Sequence, residues 1–177
     1  MKAIAMKRLL LISTWFQLLW FLAVIGREQW QYLTLALVIT TLLLSLMNKS
    51  LEWKKLGAIL VIGMLLDYFN IAIGWFVFDQ AGIPLWLTAL WAIFAWYAYF
   101  LYPILNQYPA PVVLTVGGIA GSLSYVAGSK LGAVSFGLSL SATGLILFFE
   151  WVIVMAVILK VYGYESNTDD GLFGTSK

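Results

Sequence analysis

Long apolar runs separated by short polar breaks organise the chain. They cover Leu9 to Ile25, about Tyr32 to Met47, Leu56 to Phe78, Leu85 to Leu105, Pro111 to about Gly128, and about Ala142 to Tyr162. A hydrocarbon core of roughly 30 Å takes about 20 helical residues, so these runs are of spanning length. The pattern predicts an all-α, polytopic transmembrane helix bundle of about six spans. Residues 1–162 form a single integral membrane domain, followed by a polar tail over 163–177. Met1 to Arg8 is short and basic, as before a signal sequence, but no Ala-x-Ala-type site follows the first run. It therefore reads as an uncleaved first helix. Pro111 suits a first helical turn. Between the last two runs, Ser129 to Ser141 is semi-apolar with glycines at 132 and 137. It is expected to be a short interfacial or re-entrant segment, two forms that the pattern does not separate.

The third run, LGAILVIGMLLDYFNIAIGWFVF, carries one acid at its middle, Asp67. A carboxylate at that depth costs about 2.5–3.5 kcal/mol on insertion scales, which makes an intramembrane acid a candidate functional residue. Gly63, Asp67, Asn70 and Gly74 are spaced 4, 3 and 4 residues apart and so fall on one helical stripe. An acid and an amide between two glycines mark a face where another backbone can approach closely.

Composition agrees with the runs and removes much chemistry. Of 177 residues, 63% are hydrophobic and 10% charged, against about 25% charged in soluble domains. Net charge is +2 with basic residues spread over short loops, which argues against nucleic acid. Cysteine and histidine are absent, which excludes disulfides, thiolate nucleophiles, His-ligated haem, the HExxH zinc motif and His-based triads. No cofactor or metal is expected. With the N-terminus in the cytoplasm, Lys2, Lys7, Arg8, Lys49, Lys54, Lys55, Lys160 and Lys177 lie inside, and Arg27 and Lys130 outside. That bias favours six spans with both ends cytoplasmic; the acids Glu165, Asp169 and Asp170 of the tail count little. Trp30, Trp53, Trp75 and Trp86 fall near span ends, as in an aromatic belt.

The sixth run carries a second acid, Glu150. No Lys or Arg lies at the depth of either acid, so each is expected to stay protonated or to meet a bound cation or water. The plainer alternative is packing glue, with hydrogen bonds across helices to Asn70 or Gln17. Gln17 shares a face with Ser13 and Trp20 and is a candidate for completing the polar centre. In the fifth run, Gly117 and Gly121 form GxxxG, and Thr115, Ser122, Tyr125 and Ser129 fall near one stripe. A close-packed central helix is the simpler reading, a ligand groove holding Ser122 and Tyr125 the sharper one. The fourth run is crowded with rings, which belt and core explain and an acyl or isoprenoid pocket also fits. Trp15 and Trp20 match Trp91 and Trp96 at an offset of 76, so two inverted three-span halves are an alternative plan.

The stretches TWFQLLWF (14–21), GMLLDYFNIAIGWFVFDQAGIPLWLTALWAIFA (63–95) and GGIAGSLSYVAGSKLGAVSF (117–136) resemble a family of small bacterial inner-membrane proteins classed as a domain of unknown function. Many members carry an Asn-His pair in the fourth span, where this chain reads Trp96-Tyr97-Ala98-Tyr99. The resemblance implies no activity. It implies a genomic setting beside cyclopropane-fatty-acid-synthase-like enzymes, flavin amine oxidoreductase-like proteins and stress sigma-factor regulators.

The expected function is that of an accessory inner-membrane component of fatty-acyl modification or protection. Its expected partners are membrane lipid and a peripheral lipid-modifying enzyme on the cytoplasmic loops. A small carrier or substrate-capture subunit using Asp67 and Glu150, or a non-catalytic scaffold, are the alternatives. Beyond two acids, nothing in the chain points to an enzyme.

Overall fold

The structure, a computed structural model, describes residues 2–47 and 51–163, the side chains of residues 2–6 excepted. The tail beyond Gly163, with Glu165, Asp169, Asp170 and Lys177, lies outside the described residues, as do Lys49 and the Lys2 side chain. The elements are α1 (Lys2–Met47), α2 (Trp53–Ala72), β1 (Phe76–Val77), α3 (Leu85–Leu105), α4 (Ala110–Lys130), β2 (Ser135–Phe136) and α5 (Leu140–Tyr162). Among the described residues, five helices are long and apolar enough to cross a bilayer. The fold is that of a multi-pass membrane protein.

α1 covers both of the first two apolar runs. As one straight helix its 46 residues would extend about 69 Å, more than twice a hydrocarbon core. It does not run straight. Arg27, at φ 42 and ψ −130, breaks the helical geometry. The two arms fold back on each other, because Trp15 Nε1 donates to Thr41 Oγ1 at 3.1 Å across 26 residues of chain. Arg27 then donates through Nη1 to the Gly132 carbonyl at 2.6 Å, tying the bend to the loop after α4.

α2 stops earlier than the apolar run. Gly74 adopts φ 77, and the Trp75 amide bonds back to the Asn70 carbonyl at 2.8 Å, closing the helix end. Gly74 is therefore a turn residue and not part of the packing stripe; a Cβ there would meet nothing within 4 Å. A left-handed φ is what glycine tolerates best, so the run from Ile73 to Phe78 leaves the helix despite its apolar character. Instead β1 pairs antiparallel with β2, Phe76 opposite Phe136 and Val77 opposite Ser135. The segment from Ser129 to Ser141 thus holds the last two residues of α4, a turn at Gly132, a short strand and the first two residues of α5. Gly137 lies so close to Gly74 that a Cβ would strike its carbonyl, and the Gly137 amide donates to Trp75 O at 3.0 Å. This ladder covers the end of the bundle where α2 and α4 finish and α5 begins.

α3 is the central helix. It lies against both arms of α1, against α2 and against α5. Tyr97 stacks on Phe16 at 4.5 Å, and Trp96 Nε1 donates to Ser45 Oγ at 2.8 Å. α4 instead leans along α5, where its glycines make room: a Cβ at Gly117 would meet Met155, one at Gly118 Phe148 and Val152, and one at Gly121 the Trp151 indole. Small residues at these positions let the two helices approach closely. No comparable seam joins the second arm of α1 to α2 among the described residues, so the two halves do not pack alike. Of the expected belt, Trp30 and Trp53 are exposed, but Trp86 is buried and donates to Glu28 at 3.2 Å. Apolar side chains such as Leu11, Leu65, Val116 and Leu145 cover the outer surface, as lipid contact requires.

Candidate functional site

Asp67 is 2% exposed and faces the interior of the bundle. Both of its oxygens are occupied. Trp91 Nε1 donates to Oδ2 at 2.5 Å and the Tyr125 hydroxyl donates to Oδ1 at 2.7 Å. Gly63, one turn earlier on the same face, lies against the Trp91 ring, since a Cβ there would fall inside it. Asn70, 1% exposed, donates through Nδ2 to both Glu150 oxygens at 2.9 and 3.1 Å. Four helices thereby meet at one polar centre: α2 supplies the acid and amide, α3 the indole, α4 the phenol and α5 the second acid.

Helix ends set the depth of this centre. Asp67 lies five residues before the end of α2, about 7.5 Å along the axis. Trp91 and Tyr125 are likewise six residues into α3 and five before the end of α4. Asp67 is therefore nearer the Arg27 end of the bundle than the midplane that the apolar run implied, because α2 begins and ends before that run does. Glu150 is close to the middle of α5.

A groove of about 540 Å³ runs beside the polar centre. It opens because α4 leans on α5 and makes no long seam with α3. Phe16, Gln17, Trp20 and Val24 of α1 form one wall, and Val112, Val116, Ala120 and Gly121 of α4 the other. Trp91, Phe94, Tyr97 and Trp151 form the floor, with Trp91 and Trp151 stacked at 5.5 Å and 12°. Phe78, Trp86, Ala133 and Val134 close the Arg27 end, the last two being 6% exposed. Toward the other end, Tyr108, Val112 and Val116 are exposed, so the groove is open there and sideways. Trp20 Nε1 donates to Ser124 Oγ at 2.9 Å and bridges the two walls.

Asp67, Asn70 and Glu150 do not line this groove; Trp91, Tyr125 and Trp151 stand between. The acid holds the indole and the phenol by their polar edges while their ring faces form the groove wall. Both Asp67 oxygens are taken up by donors of its own chain, and its side chain does not line the groove. Of the other candidates, Tyr125 joins the centre and the groove together. Gln17 lies on the far wall and forms no hydrogen bond to either acid among the described residues, so it does not complete the polar centre. Ser122 is buried, donates to the Ile119 carbonyl within α4 and does not line the groove. The hydroxyl that does cross helices is its neighbour-but-one, Ser124. Trp91, Trp151 and Ser124 carry the site and were visible in the sequence only as ring and hydroxyl content. No cluster of metal-ligating side chains occurs among the described residues.

A family model of proteins of unknown function, DUF2878, matches residues 9–157. The chain belongs to the DUF2878 family. The match runs from the first arm of α1 into α5, so the polar centre and the groove of this DUF2878 protein both lie inside the family region. Neither a curated protein nor a solved structure matches the chain.

Proposed function

We propose that this DUF2878 protein is a lipid-chain-binding component of a bacterial inner membrane, accessory to the modification or protection of membrane lipid. The groove carries the reading. Its lining is almost wholly apolar and aromatic, and it is open sideways to the surrounding chains along Val112, Val116 and Ala120. Hydrocarbon gains no hydrophobic advantage by leaving a bilayer for such a groove, so retention must come from close packing against fixed rings. The carboxyl of Asp67 supplies that fixity by anchoring Trp91 and Tyr125. A carrier for a polar or cationic solute is less well supported, because the buried acid is enclosed by donors of its own chain.

The same reading takes the chain across the bilayer six times, with both ends cytoplasmic. The two arms of α1 count as separate passes in it. Lys7, Arg8, Lys54, Lys55 and Lys160 gather at the end where Arg8 lies over Phe100 and Lys55 over Tyr162, while Arg27 and Lys130 are at the opposite end. The basic end is then the face open to a peripheral lipid-modifying enzyme. Mass spectrometry of lipid retained by the purified protein tests the function. A lipid held through delipidating washes, and lost when Val116→Trp narrows the opening, is the expected outcome. Retention no greater than that of an unrelated multi-pass protein overturns it.

A further inference from the structure

Glu150 stands apart from the groove and from the enclosure around Asp67. Ten residues of α5 precede it and twelve follow, about 15 and 18 Å of helix axis, so its carboxyl sits near mid-depth. The side chain is half-buried, where Asp67 is fully buried. Leu147, one turn before it, and Val154, one turn after it, are buried, and Leu147 packs with Phe76 and Val134 toward the Arg27 end. The open side is lateral. Phe149 and Ile153 flank Glu150, Phe69 and Ile73 flank Asn70, and all four are exposed apolar side chains on the outer surface.

The partner of Glu150 is unlike those of Asp67. Asn70 Nδ2 donates to both Glu150 oxygens at 2.9 and 3.1 Å, which serves a carboxylate. The other end of the amide, Oδ1, is buried with no hydrogen-bond partner among the described residues, on a side chain only 1% exposed. An amide carries a donor and an acceptor on one carbon, so a half-turn about its last bond exchanges them. With Oδ1 toward Glu150, the same residue accepts from a carboxylic acid. The indole that holds Asp67 cannot do this, since it only donates. No lysine or arginine forms an ion pair with Glu150 among the described residues. The titratable groups facing it are Asp67 on α2 and Tyr125 on α4. On this side α3 offers Trp91 and the strand ladder Phe76 and Phe136, none of which carries a charge.

We propose that Glu150 and Asn70 form a site that takes up and releases a single proton, entered sideways from the seam between α2 and α5. The Asn70 amide donates to the carboxylate and turns to accept from the acid, so the two helices stay linked in both states. Chemistry selects a proton over a metal ion. Hard metal ions take six or more oxygens, and two side chains supply three. A proton needs one oxygen to carry it and one to accept its hydrogen bond. The site is independent of what occupies the groove, because Trp91, Tyr125 and Trp151 stand between the two.

The test exposes the full-length protein in lipid vesicles to dicyclohexylcarbodiimide, a hydrophobic reagent that combines with the acid form of a carboxyl. The carboxyl proton passes to a reagent nitrogen and the carboxyl oxygen bonds to its central carbon. Peptide mass spectrometry should find an adduct on Glu150 and none on Asp67. Its rate should fall by about tenfold per pH unit once the carboxyl ionises, and Glu150→Gln should abolish it. Infrared difference spectra between low and high pH should show a carboxylic-acid band that Glu150→Gln also removes. Asn70→Leu, which can neither donate nor accept, should displace both pH profiles by about one unit. Thermal unfolding checks that this variant folds, and the wild-type readings decide the matter without it. A Glu150 band that keeps its full strength across about pH 5 to 9 makes the residue a fixed neutral packing group and overturns the proposal. No adduct at any pH, or faster labelling by a water-soluble carbodiimide, overturns the sideways entry. Profiles indifferent to Asn70→Leu remove the amide from the site.

Discussion

Asp67 earns its place by what its two oxygens hold. Asparagine can keep the bond from Trp91 through its carbonyl and donate through its amide to the Tyr125 oxygen, which leaves only the phenol O–H without its acceptor. Alanine leaves an indole N–H and a phenol O–H buried with no acceptor, each costing about 1–3 kcal/mol. Asp67→Ala should therefore unfold at clearly lower temperature than wild type, with Asp67→Asn between the two, as followed by tryptophan fluorescence. An alanine variant as stable as wild type would sink this account. The sequence stripe of Gly63, Asp67 and Asn70 was legible because all three lie on one helix, where spacing fixes the face. Partners were not. Whether Glu150 meets Asn70 or Gln17, and whether Trp91 turns its nitrogen to an acid or to lipid, depends on the rotations of separate helices, which no local spacing records.

At the level of elements, the bend in α1 decides the architecture. Arg27 holds a left-handed φ that a side chain adopts only under constraint, at about 1–3 kcal/mol. Its bond to the Gly132 carbonyl offsets that strain. Both Arg27→Ala and Arg27→Gly lose the bond, but only glycine relaxes the backbone. The glycine variant is expected to be more stable than the alanine variant by about 1 kcal/mol in denaturant titration, and the reverse order would remove the strain from the account. The polar break between the first two runs located this bend, although helix continues on either side of it. The end of α2 was illegible for a different reason. Apolar residues past Ala72 still face other protein or lipid, so hydropathy does not change where the helix stops; one glycine at positive φ does the work. Strands of two residues are likewise too short to leave an alternating pattern.

For the whole molecule, the six crossings proposed above would place Lys54 and Lys130 on opposite faces. The chain contains no cysteine, so Lys54→Cys and Lys130→Cys each introduce a single thiol. In spheroplasts a membrane-impermeant maleimide should label the second, and reach the first only after permeabilisation. Labelling of both from one side would cut the number of crossings. Membrane class and helix content were legible because composition alone sets them. The groove was not, since it comes from a contact α4 does not make with α3, and nothing in either helix announces that. The meeting of four helices at the polar centre also constrains how the protein is made. During synthesis α2 is the first of these four helices to leave the ribosome, and it enters the bilayer before any partner of its carboxyl group has been made. The indole arrives 24 residues later and the phenol 58 residues later, and the amide waits 80 residues for Glu150. Insertion of α2 is therefore least secure while it is newest, and each later helix to emerge locks the earlier ones in place.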